Sequence, residues 1–98
     1  MLGPLADAAP DAVCRSVAAL SDEWLAVSWV RSGLIAGLAG RAGLEPLAES
    51  LLGRRRAASR AIGAALLVAP DRLRVVSEQD PSAVVRKAAG SALTAQAR

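Results

Sequence analysis

Residues 80–93, Asp-Pro-Ser-Ala-Val-Val-Arg-Lys-Ala-Ala-Gly-Ser-Ala-Leu, constrain the fold more than any other stretch of this chain. Asp80 suits an N-cap, where its carboxylate accepts from the free N–H groups of a first turn. Pro81 then falls at the first helical position, where a missing N–H costs nothing. Val85, Ala88, Ala89, Ala92 and Leu93 recur at the three/four spacing of one buried helix face. The spacing predicts a helix from Pro81 to near Gln96. Its face is mostly alanine, so a partner helix can come close.

The rest of the chain reads as weaker copies of this unit. Pro10-Asp11 opens a helix over about 11–20, with Ala12, Val13, Val17 and Leu20 as packing residues. Ser21 or Asp22 caps a second helix, over about 23–40, and the acids suit the positive end of its dipole. Trp24, Val27, Leu34, Ile35 and Leu38 form its apolar face. Gly33, Gly37 and Gly40 form a smooth one, at about 1 kcal/mol each relative to alanine. That cost predicts a neighbouring helix packed closely against the glycine row. Arg41-Ala42-Gly43 is expected to end the helix, with Gly43 in the left-handed cap position. A third helix covers 44–52 and a fourth 54–69. A fifth covers about 71–79, after the stop at Pro70-Asp71. Met1–Ala9, broken by Gly3-Pro4, is expected to be a frayed tail or one loose turn.

Short helix then long helix thus occurs three times, in pairs over about 11–40, 44–69 and 71–96. Connections of two to four residues predict antiparallel partners. The long helices align as Val30-Arg31 to Leu38, Arg54-Arg55 to Ile62, and Val85-Arg86 to Leu93. The expected fold is all-α: one domain forming a short right-handed solenoid of three antiparallel helix pairs. Composition agrees. Hydrophobic residues make up 53% of the 98, yet there is no Phe, Tyr or His. Such a chain has few rings to fill gaps and must pack helices closely. Period-two β-branched runs are absent.

With this pattern in hand, the chain resembles HEAT-like repeats. Their second helix typically reads Asp-Pro, then Val-Arg, then spaced alanines and a Leu. Asp80, Pro81, Val85, Arg86, Ala88, Ala89, Ala92 and Leu93 match it. The middle unit keeps Arg55, Ala57, Ala58 and Ile62; the first keeps Asp22, Val30, Arg31 and Leu38. In such repeats the Asp and Arg tie neighbouring units together, which implies a structural role for Asp80 and Arg86. Residues 85–93 are also similar to the Val-Arg-Lys-Ala-x-Gly-Trp-Ala-Leu segment of the alkylpurine DNA glycosylases, HEAT-like DNA-repair enzymes with a basic concave groove. Ser91 stands where that family has its groove tryptophan, and no segment matches the one carrying its catalytic Asp. The resemblance therefore implies DNA binding without glycosylase chemistry.

Candidate chemistry is sparse. With one cysteine, Cys14, and no His, neither an internal disulfide nor a Cys/His zinc site can be assembled, and no cofactor or metal is expected. Cys14 reads as a structural thiol on the first helix. No His is available for acid/base work, no glycine loop follows a strand, and Asp22-Glu23 is explained by a helix start. The chain is not expected to be an enzyme. Residues 1–49 hold six acids and three bases, a net −3. Residues 50–98 hold three acids and nine bases, a net +6. Arg54, Arg55, Arg56 and Arg60, with Arg86 and Lys87, are therefore nucleic-acid-binding candidates. A solvated helix face is the alternative explanation for the same charges. Trp24 and Trp29 lie five apart, about 140° around a helix. One is expected in the core, Trp24, and the other outside, which makes Trp29 the partner-binding candidate.

Two classes of function follow: a non-catalytic scaffold that binds a protein partner or further repeats, and a DNA-binding module using the basic half. Trp24–Gly40 is short for a bilayer span and carries Arg31 near its middle, so no membrane partner is expected. With no basic n-region ahead of an apolar core, a cytoplasmic location is expected.

Overall fold

The computed structural model describes residues 9–40 and 43–96. The tail expected over 1–9 lies outside them except for Ala9, as does Arg41-Ala42. Seven α-helices and no strands occur among the described residues: α1 (Pro10–Ala18), α2 (Asp22–Leu25), α3 (Ser28–Leu38), α4 (Glu45–Leu52), α5 (Ala57–Leu66), α6 (Pro70–Gln79) and α7 (Ala83–Gln96). The all-α expectation holds.

Local chemistry accounts for most of the helix starts. Proline stands at the first or second position of α1, α4 and α6, where it removes no hydrogen bond. Ser21 caps α2: its Oγ accepts from the Trp24 N–H at 3.3 Å. Beyond α3, Gly40 and Gly43 have φ of 77° and 83°, a left-handed conformation costly for any residue with a Cβ.

Four expectations need correction. First, the helix expected over 23–40 is two helices. The chain turns at Ala26-Val27, where Val27 is extended (φ −70°, ψ 126°), because Leu25 and Leu34 must both reach the core and a straight helix would not aim both there. Second, the fourth helix starts at Ala57 and ends at Leu66, so Arg54–Arg56 form a bend, with Arg56 extended before α5. Third, α7 starts at Ala83, two residues later than the proline predicts. Asp80 ends α6, and its Oδ1 accepts from the Ser82 N–H at 2.9 Å, a side-chain turn that precedes the helix.

The fourth concerns glycine. Gly33 is exposed, and nothing lies within 4 Å of where its Cβ would be. Gly40 is also exposed and stands beyond the end of α3. Gly33 and Gly40 thus make no close approach, and one is made instead by Gly63 in α5. A Cβ there would meet the Ala48 carbonyl oxygen at 2.8 Å and both Leu51 Cβ and Leu52 N at 3.0 Å. Gly63 therefore lets the backbone of α5 lie against α4.

α5 is the centre of the packing. It contacts α4 and α7 extensively and meets α2 and α3; α6 packs on α7, and α1 on α4. The interior is aliphatic: Leu25, Leu38, Leu44, Leu47, Leu51, Ile62, Leu66, Leu73 and Val85 are fully buried. The radius of gyration, 12.2 Å, is close to the roughly 12.6 Å expected of a compact chain of this length. Dispersion and apolar burial, at about 25 cal/mol per Å², must hold this core together without any aromatic residue inside it.

Candidate functional site

The basic candidates divide into two groups. Arg54 turns inward: its guanidinium donates to the Ala18 carbonyl at 2.6 Å, the Leu20 carbonyl at 2.9 Å and Asp22 Oδ1 at 3.0 Å. It thus satisfies carbonyls left over at the C-terminal end of α1 and places a positive charge where the helix dipole favours one. The bend at 54–56 exists because this side chain is held there. Ser59, fully buried, donates to the same Asp22 oxygen at 2.7 Å. These two donors, the Ser59 hydroxyl first and the Arg54 guanidinium second, hold the Asp22 carboxyl below the usual aspartate range.

Arg60 and Arg86 converge on Asp80. Arg60 Nε donates to Asp80 Oδ2 at 3.1 Å, and both side chains are largely buried. Arg60 also donates to the Arg54 and Arg55 carbonyls. Arg86 donates to the Asp80 carbonyl at 2.6 Å. Each arginine reaches back six residues to a carbonyl just before its own helix, Arg60 to residue 54 and Arg86 to residue 80. Asp80 thereby joins α5 to the start of α7.

Three of the six basic candidates, Arg54, Arg60 and Arg86, are thus engaged inside the molecule. Arg55, Arg56 and Lys87 are exposed. Arg55 and Arg56 sit on the α4–α5 bend. Lys87 lies on α7 beside a shallow hollow lined with Gly90, Ser91, Thr94 and Ala95. The Arg54–Arg56 cluster is divided in use: one guanidinium points in and two stay outside.

The two tryptophans tell a different story. Trp24, expected in the core, is 55% exposed, and Trp29 is 73% exposed. The reason is the turn at Ala26-Val27. Leu25 takes the buried position of α2, so Trp24, about 100° away on a helix of this pitch, is left outside. Both aromatic residues of the chain therefore stand in solvent around one corner, where α2 meets α3. A hollow of about 310 Å³ at this corner is lined with Glu23, Trp24 and Val27. Sequence reasoning treated Glu23 as part of a helix start and missed it as a surface residue. It also missed Ser59, whose only signal was one hydroxyl within an alanine-rich face.

Cys14 is half-buried against the core, with its thiol 3.8 Å from the Gly43 carbonyl oxygen. Among the described residues, no three His, Cys, Asp or Glu side chains converge as metal ligands. Among the same residues, no helix is long and apolar enough to cross a membrane. No protein-family model matches the chain, and searches of curated proteins and solved structures give no match.

Proposed function

We propose that the chain is a non-catalytic interaction module, a HEAT-like stack of helix pairs that binds a protein partner through the α2–α3 corner. One observation carries this: the chain has two aromatic residues, and both stand in solvent at that corner. Exposed tryptophan is costly in water and is among the residues that contribute most when an interface forms over them. The HEAT-like part is supported by the recurring arginine. Arg31, Arg60 and Arg86 each stand fourth in α3, α5 and α7.

Nucleic-acid binding is the weaker of the two functions. Of the six basic candidates, Arg54, Arg60 and Arg86 already have partners within the chain, which leaves Arg55, Arg56 and Lys87 to meet phosphate. That is a small number for an electrostatic footprint whose affinity rises with each neutralised phosphate.

The test places a photo-crosslinking residue at position 24, 29 or, as a control, Glu78 in the full chain. One protein should crosslink from positions 24 and 29 and not from 78. Unlabelled wild type should compete it away, whereas the Trp24→Ala/Trp29→Ala variant should not, while keeping its helical circular dichroism. Crosslinks that are the same from all three positions would reject the corner as the partner surface.

A further inference from the structure

We propose that the hollow bounded by Glu23, Trp24 and Val27 receives an arginine or lysine side chain of the protein partner. The proposal rests on the α2–α3 corner being the partner surface, and names what that surface recognises. Each wall of the hollow suits one part of such a side chain. The exposed indole of Trp24 presents a π-face to a guanidinium or ammonium group. Val27, half-buried at the turn, gives the methylene stem an apolar surface to lie on while the charged head stays wet. Glu23 supplies the carboxylate.

Charge complementarity selects this occupant over an anionic one. Asp22 is already committed, accepting from Ser59 and paired with Arg54. Glu23 is exposed, and among the described residues the ion pairs are Arg54–Asp22, Arg60–Asp80, Arg72–Glu49 and Arg74–Asp71, none of which uses it. The carboxylate facing an incoming cation is therefore Glu23. The positive charges of Arg54 and Arg56 act on the Asp22 carboxylate, which puts the exposed Arg56 guanidinium on the Asp22 side of α2. Trp24 comes two residues after Asp22, about 160° around the helix from it, so the indole faces away from that side.

The full chain carrying Trp29→Phe keeps one indole, at position 24, as its own reporter. It is titrated with acetyl-(Gly-Arg)₄-amide and, separately, with the same peptide carrying neutral citrulline in place of arginine. The arginine peptide should change Trp24 fluorescence saturably, and the citrulline peptide should not. Glu23→Gln in the same background should weaken binding by about three- to fivefold, the size of one exposed cation–π or ion-pair contact. Glu45→Gln, an exposed acid on α4, should leave it unchanged. Equal responses to the two peptides, no response to either, or a Glu23→Gln variant that binds as well as its parent would each overturn the proposal. Failure here is separable from failure of the corner itself. If position 29 still crosslinks a protein while the peptide ignores Trp24, the surface stands and its cationic occupant does not.

Discussion

Gly63→Ala is the sharpest test of how this core is assembled. A methyl group at residue 63 would sit 2.8 Å from the Ala48 carbonyl oxygen and 3.0 Å from Leu51 Cβ and Leu52 N. Two of those three atoms are backbone, so no flexible side chain can swing aside, and α4 and α5 must separate. Overpacking of this kind costs about 1–3 kcal/mol, and contacts this short with main chain place it at the upper end. Against that, alanine gains about 1 kcal/mol of helix propensity over glycine. The net expectation is a loss of about 2 kcal/mol. In a domain of this size each kcal/mol moves the melting temperature by about 4–8 °C, so Tm should fall by roughly 8–16 °C. Gly33→Ala is the matched control. It also lies inside a helix, but its Cβ position is open, so only the propensity gain remains and Tm should rise by about 4–8 °C. Thermal and urea melts followed by circular dichroism measure both. A Gly63→Ala protein as stable as wild type would refute the close packing of α5 on α4.

Arg54→Ala should cost about 2–3 kcal/mol in urea melts, since it strips charged hydrogen bonds from Ala18, Leu20 and Asp22, whereas Arg55→Ala on the same bend should stay within about 0.5 kcal/mol. Breaking the buried Arg60–Asp80 pair by Arg60→Ala should cost about 3 kcal/mol, and a double-mutant cycle with Asp80→Asn should return a coupling well above that of the exposed Arg72–Glu49 pair. The lowered pKa of Asp22 means the folded state binds its proton less readily than the unfolded state does. Its contribution is therefore complete above the ordinary aspartate value of about 3.9 and is lost as pH falls through the lower folded value. Acid titration of Asp22→Asn should show a shallower loss of stability below pH ~4 than wild type, and an unchanged slope would remove Asp22 from the account. If nucleic acid binds at all, Arg55→Ala/Arg56→Ala/Lys87→Ala should flatten the salt dependence of duplex binding equally for every sequence, because each lost phosphate contact removes about one released counterion.

Helix content was legible because the apolar spacing is strong where the core is: Leu44, Leu47, Ala48 and Leu51 are all buried in α4, and Leu73 and Val76 in α6. Breaks between helices were less legible, for two different reasons. The turn at Ala26-Val27 carries no glycine or proline, and no side chain caps α3. Only the need to bury both Leu25 and Leu34 forces it, and that need belongs to the tertiary fold. The bend at Arg54–Arg56 was hidden by arginine itself, a good helix former drawn out of the helix by the α1 carbonyls more than thirty residues earlier in the chain. The exposure of Trp24 follows from the first of these. Gly63 was within reach: a mid-helix glycine between Ile62 and Ala64 carries the same propensity cost that drew attention to Gly33 and Gly37, and the close approach it permits is to α4.

The recurrence of arginine shows how a missed boundary propagates. Alignment by residue type pairs Arg31 with Arg55 and then Arg86, which gives uneven spacings of 24 and 31 residues. Alignment by helix start pairs Arg31, Arg60 and Arg86, each fourth in its helix, with spacings of 29 and 26. The second alignment also matches function at two of the positions, since Arg60 and Arg86 both return to the carbonyl six residues before them. In the same register, the third residue of each helix is Val30, Ser59 or Val85, and the seventh is Leu34, Gly63 or Ala89. All six are buried or half-buried, and they face the neighbouring helices. α5 therefore departs from α3 and α7 at both inward positions. It has a hydroxyl where they have valine, and no side chain where they have Leu or Ala. Those two departures are what let α5 sit at the centre: Ser59 reaches Asp22, and Gly63, one turn along the same face, admits the backbone of α4. Exchanging the register, by Ser59→Val together with Gly63→Ala, should therefore destabilise the chain by more than Gly63→Ala alone, because valine leaves Asp22 without its hydroxyl donor at a half-buried site. Urea melts of the single and double variants decide it. A double variant no less stable than Gly63→Ala would mean that Ser59 is interchangeable with its counterparts and that the centre of the fold is not specified by this pair.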